Sequence, residues 1–371
     1  MDFKIEREEF LKGLSRIQSI VEKKVAMPIL SNALIETRQT GILITATDLE
    51  IGLQGFCPAH IEKEGKATAS AKKLYEVVKE LSEREVTCRL KENQWIEILC
   101  GKSNFKILGL AAENFPSLPA FEEEGFVDIK AHPFREMIEK TIYAVSNDET
   151  RYNLRGLFLI QQENESGKGL RMVATDGYRI SMVDRNFEQE MKGLEKGILL
   201  PRKGMAELNR LIDEGAETIK IKIKNNNFIV RKDSVVLIMR LLDAEFPDYQ
   251  QVIPAKTKRQ IRMRREKILE ALRRVALLSS EKTRGVKFHF SKDTLELSSY
   301  NPEIGEAKEE LTVDFKGEDM VVGFNSRFVL EALGTFGAEE VALEMDDEKS
   351  PSIFRPLNDA RHTCIVMPMR I

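Results

Sequence analysis

"MVATDGYRIS" at residues 172–181 decides the fold because it is one of three copies: "ITATDLEIGL" stands at 44–53, and a weaker version, "LSSYNPEIGE", at 297–306. Asp176 lies 128 residues after Asp48, and Asn301 lies 125 after Asp176, steps close to a third of the 371-residue chain. Self-similarity at a fixed step is the signature of tandem copies of one structural unit. Other landmarks keep the step. "ENFPSLP" (113–119) answers to "AEFPDYQQVIP" (244–254), and the chain closes on "VMPMRI" at the corresponding point of the third copy.

Two helical patterns recur in each copy. The first places apolar residues at Phe10, Leu11, Leu14 and Ile17, then Phe134, Met137, Ile138 and Ile142, then Ile268, Leu269, Leu272 and Val275. The second gives Leu74, Val77, Val78 and Leu81, then Met205, Leu208, Leu211 and Ile212, then Val329, Ala332, Leu333 and Phe336. Spacing of three and four predicts amphipathic helices of about three turns. Between them run short strand-like stretches, "GILITA", "WIEIL", "LRMVA", "TIKIKI" and "SVVLIMRL", broken by Gly, Asn and Asp. Each third therefore reads as an α+β domain, two helices packed on mostly antiparallel strands. The polar, turn-rich stretches "FEEEGF" (121–126) and "IPAKTKRQ" (253–260) set expected domains of 1–125, 126–254 and 255–371.

Net charge is −3, so a nucleic-acid partner has to be held by positive charge sorted onto one surface rather than by bulk attraction. None of the three thirds is basic overall. Cations do gather on the polar faces of the expected helices: Lys12, Arg16 and Lys23, then Lys72, Lys73 and Lys79, then Arg202, Lys203 and Arg210, then Lys267, Arg273, Arg274 and Arg327. Acids such as Glu76, Glu139, Glu207 and Glu270 interrupt them, and each stripe taken singly is a solvated face. "KTKRQIRMRR" (256–265) has no acid and reads as a hydrated linker entering an edge strand. No apolar run is long enough to span a bilayer, and "MDFKIEREEFLKGL" lacks the order of a secretory signal, so a cytoplasmic location without a membrane partner is expected. Cys57, Cys88, Cys100 and Cys364 form no Cys-x-x-Cys pair, and His60, His132, His289 and His362 are scattered, as reduced structural thiols and not a zinc site require.

Asp48 and Asp176 invite a metal or acid–base reading, yet the third copy has Asn301 and no second carboxylate keeps a fixed short offset. A turn explains Asp176–Gly177 directly, since the pair tolerates the positive φ that such turns need. Phosphate-cradling Gly-rich loops, a nucleophile elbow and a His-Glu-x-x-His helix are all missing, so no cofactor is expected. On the residues alone a metal-dependent nucleic-acid enzyme using Asp48 and Asp176 stays open as the minority reading, beside a non-catalytic reading such as a peptide-binding scaffold unrelated to DNA.

"MPIL" (27–30), "ATDLE" (46–50), "RYNLRG" (151–156), "VATDGYR" (173–179), "LPRKG" (200–204), "FPDY" (246–249), "EKTRG" (281–285), "GFN" (323–325) and the terminal "VMPMRI" resemble, in order and over the whole chain, the bacterial DNA polymerase III β subunit, the sliding-clamp family. The resemblance implies three tandem DNA-clamp domains and a head-to-tail dimeric ring around duplex DNA, with retention by topology and sequence-independent contact to phosphates. It implies DNA-facing roles for Lys24, Tyr152, Asn153, Arg202 and Lys203, joined by the helix cations Lys12, Arg16, Lys72 and Lys73, and a dimer interface at Phe105, Leu277 and Leu278. Implied partners are the polymerase III catalytic subunit, the clamp loader, translesion polymerases, mismatch-repair proteins and ligase.

The same resemblance assigns a partner-peptide groove to Leu154, Thr175, Gly177, Tyr178, Arg179 and Ile180 on one side and Pro247, Val252, Asn325, Phe328, Val366, Met367, Pro368, Met369 and Arg370 on the other. Adaptable Met side chains suit Leu and Phe anchors, and Arg179 and Arg370 are expected at the rim, holding polar or acidic groups. Without the resemblance, Met367 and Met369 read as core residues of the last strand. Gln251, Thr283, Lys349 and Tyr178 depart from the family pattern and are expected to alter peptide preference.

Overall fold

Helix α1 (Arg7–Ile17) buries Phe10, Gly13, Leu14 and Ile17 along one face, as the spacing requires. Gly13 lets the helix lie close to the sheet: a Cβ there would sit 2.6 Å from Cys57 Sγ and 2.9 Å from Ile44 Cδ1. Alanine would gain about 1 kcal/mol of helix propensity but lose more to overpacking. The computed structural model describes residues 1–21, 27–164, 167–254 and 256–370. Among them the other five expected helices form as α2 (Ala71–Glu80), α3 (Ala131–Thr141), α4 (Arg202–Asp213), α5 (Arg265–Ala276) and α6 (Ser326–Gly334). Short polar side chains start two of them: Ser70 Oγ accepts from Lys73 N at 3.4 Å and Asn325 Oδ1 from Arg327 N at 3.0 Å.

The chain forms two compact units, Met1–Ala131 with Arg210–Leu241, and His132–Asn209 with Leu242–Ile371. In the first unit α1 packs on α2 over a thirteen-stranded antiparallel sheet. Strand Ile51–Pro58 of the first repeat pairs there with Val235–Arg240 of the second, Ile51 opposite Met239 and Gly52 opposite Ile238. In the second unit α5 packs on α6 over a four-stranded sheet, beside an eight-stranded one. The same joint reappears in it: Arg179–Asn186 of the second repeat pairs with His362–Val366 of the third, Arg179 opposite Val366 and Ile180 opposite Ile365. The middle repeat thus divides its strands between two sheets. The acid-free stretch enters strand Arg259–Arg264, which is the edge of the eight-stranded sheet and turns Ile261 and Met263 inward.

All four cysteines are buried and unpaired. Cys364 lies 3.1 Å from Tyr143 Oη and 3.5 Å from His362 Nε2, in a small polar knot between strands. Next to it Glu136 and Asp359 share Lys140 and Arg185, with contacts of 2.6–3.0 Å. Hydrogen bonding to Arg185, ahead of the opposing effect of burial, holds Glu136 at about 2. Burial, reinforced by the charge of Lys140, pushes His362 from its ordinary 6.5 down to about 3, and its Nδ1 has no partner.

His362 therefore stays neutral in the folded protein while the unfolded chain takes up a proton below about pH 6.5, so stability falls as the pH drops from there toward 3. One such group contributes at most about 1.4 kcal/mol per pH unit. His362→Phe, which keeps the edge-on ring contact with Phe336, should gain about 2 kcal/mol on the wild type between pH 7 and pH 5 in denaturant unfolding. An unchanged gap between the two proteins across that interval would contradict a buried neutral imidazole.

Candidate functional site

Thr175, Asp176 and Gly177 are used by the backbone. Gly177 takes φ +86°, and its N–H donates to Thr175 Oγ1 at 3.0 Å. Thr175 Oγ1 in turn donates to Arg179 O at 2.6 Å. Asp176 Oδ1 accepts from Tyr178 N and Arg179 N at 3.0 and 3.1 Å. Asp48 does the same in the first repeat, accepting from Glu50 N and Ile51 N at 3.0 and 2.7 Å. Asn301 Oδ1 accepts from Glu303 N at 3.0 Å in the third. One local hydrogen-bond pattern accounts for the conspicuous aspartates.

Beside this turn in the second unit is a cavity of about 260 Å³. Leu154, Thr175, Gly177, Tyr178, Arg179 and Ile180 line it from one side, and Pro247, Val252 and Met367 from the other. These are expected groove residues brought together. Asp248, Tyr249 and Ile365 line it as well, as does Asn153, which the sequence assigned to DNA. Strand parity explains Ile365: side chains alternate across a strand, so Ile365 and Met367 share the cavity face while Val366 points the other way. Val366 is corrected from the groove to the core of the third repeat, where it is buried with Phe324 and Phe354. Asn325 caps α6, Met369 N bonds to Gly323 O at 2.8 Å, and Arg370 is exposed. Neither these three nor Pro368 is among the residues of this cavity.

Arg179 is also corrected, from rim to interior. It is only 5% exposed. Its guanidinium meets Asp176 Oδ2 at 3.0 Å, Tyr143 O at 2.7 Å and the Glu331 carboxylate. The rings of Tyr143 and Phe328 lie 5.1 and 4.4 Å from its central carbon. Burial alone would raise Glu331, but hydrogen bonds from Arg327 and Arg179 outweigh it and hold the carboxyl below its usual range. Arg179 is a clasp across the joint, with each of its three nitrogens bonded within the protein. The exposed cation at the mouth is Arg151, stacked 5.6 Å over the Tyr178 ring and donating to Asp176 O at 3.1 Å. Phe158 and Phe246 stack at 4.9 Å behind Tyr249, and Gln251 is held by Asp248 at 2.9 Å.

The expected DNA-facing residues differ in their freedom. Lys12 is exposed. Arg16, expected to face DNA, forks onto Glu214 Oε2 at 2.9 and 2.7 Å. Lys72 and Lys73 share Glu76 at 3.6 and 2.8 Å, and Arg202 bonds to Asn147. Tyr152 is 44% exposed, Lys203 is half-buried on α4, and Lys24 lies outside the described residues. Phe105 and Leu277 are exposed, at 39% and 76%, and Leu278 is half-buried. Strand Ser103–Leu110 pairs along its length on one side but only through Gly109 and Leu110 on the other. Strand Gly305–Thr312 is the edge of the four-stranded sheet.

Three family models match in tandem: DNA polymerase III beta subunit N-terminal domain at 1–119, central domain at 128–248 and C-terminal domain at 250–370. The chain belongs to the bacterial DNA polymerase III β subunit family, the β sliding clamps. It is 31% identical over 372 residues to the beta sliding clamp of Vibrio cholerae serotype O1, and 32% over 376 residues to that of Caulobacter vibrioides, with 100% of each chain covered. The solved Caulobacter crescentus beta sliding clamp, with polyethylene glycol at a putative beta-motif tethering region, is similar at TM-score 0.95 and 30% identity, covering 100% of this chain and 99% of that one. The Bartonella birtlesii sliding clamp bound to griselimycin is similar at TM-score 0.95 and 30% identity, covering 100% of both. The fold is three tandem clamp domains of helices on antiparallel sheets, and the function is that of a non-catalytic processivity clamp in DNA replication. Among the described residues no helix is long and apolar enough to cross a membrane.

Truncating Arg179 leaves the half-buried Asp176 and Glu331 carboxylates with one cation fewer, Glu331 keeping Arg327, and costs about 1.5–3 kcal/mol, whereas an exposed arginine contributes under about 1 kcal/mol. Arg179→Met should lower the unfolding free energy by the larger amount and Arg151→Ala by the smaller, measured by chemical denaturation. Equal small losses would show that the guanidinium is no clasp.

Proposed function

We propose that this clamp closes as a head-to-tail homodimer around duplex DNA and presents the Thr175–Met367 cavity to short peptide segments of its partners. The observation that carries the reading is the cavity itself. It has apolar walls of Leu154, Ile180, Val252 and Ile365 and an adaptable Met367, while the buried Thr175 and Arg179 in its lining are bonded within the protein. Such a shape suits one or two apolar anchors of an extended segment, with Arg151 and Tyr178 available at the rim. The polymerase III catalytic subunit, the clamp loader, translesion polymerases, mismatch-repair proteins and ligase are the proposed owners of such segments. The proposed domain limits are 1–125, 126–254 and 255–371.

Two unpaired strand edges support the dimer. Residues 103–108 and strand Gly305–Thr312 each offer free backbone donors and acceptors among the described residues, and come from the first and third repeats. Contact between unlike edges is heterologous and generates a closed ring when the rotation permits. Phe105, Leu277 and Leu278 are the proposed apolar part of that contact. Lys12, Lys24, Lys72, Lys73, Tyr152, Arg202 and Lys203 are the proposed DNA-facing residues, with Arg16 secondary because Glu214 already holds it. Cations that share acids attract phosphate diffusely, as sliding requires.

Solution mass with particle imaging should give a hollow dimer that stays on circular DNA and slips from linear DNA at moderate salt. A solid monomer, or equal retention on both, would refute the ring. Deleting residues 367–371 should abolish partner-peptide binding in calorimetry and leave the dimer intact, so undiminished affinity would refute the groove.

A further inference from the structure

The Thr175–Met367 cavity has a counterpart in the first unit. A cavity of about 310 Å³ lies at the joint between the first and second repeats. Its turn, strand-end and strap residues correspond to those of the peptide cavity through the register of the two sheet joints, while the Asn225–Asn227 turn is its own. Ile51 pairs with Met239 as Arg179 pairs with Val366, so Ile238 and Arg240 stand where Ile365 and Met367 stand. The backbone bond at the lip is also duplicated: Arg240 N donates to Glu50 O at 2.8 Å, and Met367 N to Tyr178 O at 2.9 Å. Thr47 and Leu49 replace Thr175 and Gly177, with the same Thr hydroxyl accepting from the residue two along at 3.0 Å. The strap Pro116–Leu118 replaces Pro247–Tyr249.

The geometry is kept and the chemistry has changed. Leu49 holds φ +77°, close to the +86° of Gly177, although a leucine pays strain there, and it leaves its side chain 54% exposed at the cavity mouth. Leu118 lies on the bare backbone of Gly52, where a Cβ would come within 2.3 Å of its Cδ2, and with Ile238 forms an apolar floor. Glu50 stands at the Tyr178 position and Arg240 at the Met367 position. Neither forms an ion pair among the described residues. The lip therefore carries an anion and a cation side by side above an apolar floor, with the Asn225–Asn227 turn as a polar wall.

We propose that this cavity is a second peptide groove, which takes an extended segment of a partner protein whose single apolar anchor is flanked by one acidic and one basic residue. The choice of a peptide rests on the reading of the first groove as a peptide site. Arg240 accepts the acidic neighbour, Glu50 the basic one, and the anchor lies on Leu118 and Ile238. The two grooves thus select different segments with one architecture.

Full-length protein irradiated with acetyl-Glu-photoleucine-Lys-amide, digested and mapped by mass spectrometry, tests this. Adducts are expected on residues 47–52 or 116–119. Arg240→Glu, at an exposed position, should reduce them roughly tenfold, the loss expected when a charge-assisted contact is reversed. Ser117→Trp, which fills the cavity from an exposed position, should do the same. Deleting residues 367–371 should leave them unchanged. Adducts confined to the Tyr178–Met367 groove, or first-unit adducts indifferent to Arg240→Glu, would overturn the second groove and leave the first intact. No adducts at either place, when the partner peptides of the first groove still bind, would likewise overturn it. If those peptides also fail to bind, the reading of both grooves falls.

Discussion

Backbone pairing across repeat junctions is the constraint on which this molecule depends. Val235–Arg240 completes the sheet of the repeat before it, and His362–Val366 does so again. A strand edge left open exposes a row of unpaired donors and acceptors, and the second and third repeats each cover the edge of the repeat before with their own last strand. The consequence is a middle repeat shared between two compact units. It also places a Thr-Asp or Thr-Asp-Gly turn, a proline strap and a strand end together at each junction, which is how the fold makes a concave site without any repeat containing one.

Charge is handled in two ways. Inside the second unit it is locked: Arg179 joins Asp176 and Glu331 across the joint, and Lys140 and Arg185 share Glu136 and Asp359. Each of these cations is largely buried and its geometry fixed, so its work is cohesion. On the exposed faces of α1 and α2 the cations are either open, as Lys12, or share an acid, as Lys72 and Lys73 share Glu76. A pair of that kind contributes little to stability and is readily screened. The arrangement suits a protein whose family holds DNA by enclosure and gains nothing from tight phosphate contacts.

Duplication has left two cavities with one plan and different linings. The plan survives because Thr and Asp side chains fix the turn by bonding to backbone atoms, which constrains those residues and leaves the intervening side chains free to diverge. Tyr178 against Glu50, Arg179 against Ile51 and Met367 against Arg240 are the outcome. Where Arg179 clasps the second joint, Ile51 in the first is an apolar residue buried in the sheet.

The threefold repeat, the six helices and the turn chemistry were legible in the sequence, because apolar spacing and Thr-Asp hydrogen bonding are properties of a few consecutive residues. Part of the cavity beside that turn was legible too: Thr175, Gly177, Tyr178 and Met367, which line it, were singled out from the turn and the resemblance. What the sequence left undecided depends on segments far apart in the chain. Whether Ile365 or Val366 faces the cavity is set by the register against Arg179–Asn186. Arg179 leaves the rim because Glu331, 152 residues later, and Tyr143, 36 residues earlier, close around it. Arg16 loses its freedom to Glu214, 198 residues away. Local patterns specify elements, and only tertiary pairing decides which faces and charges those elements leave open.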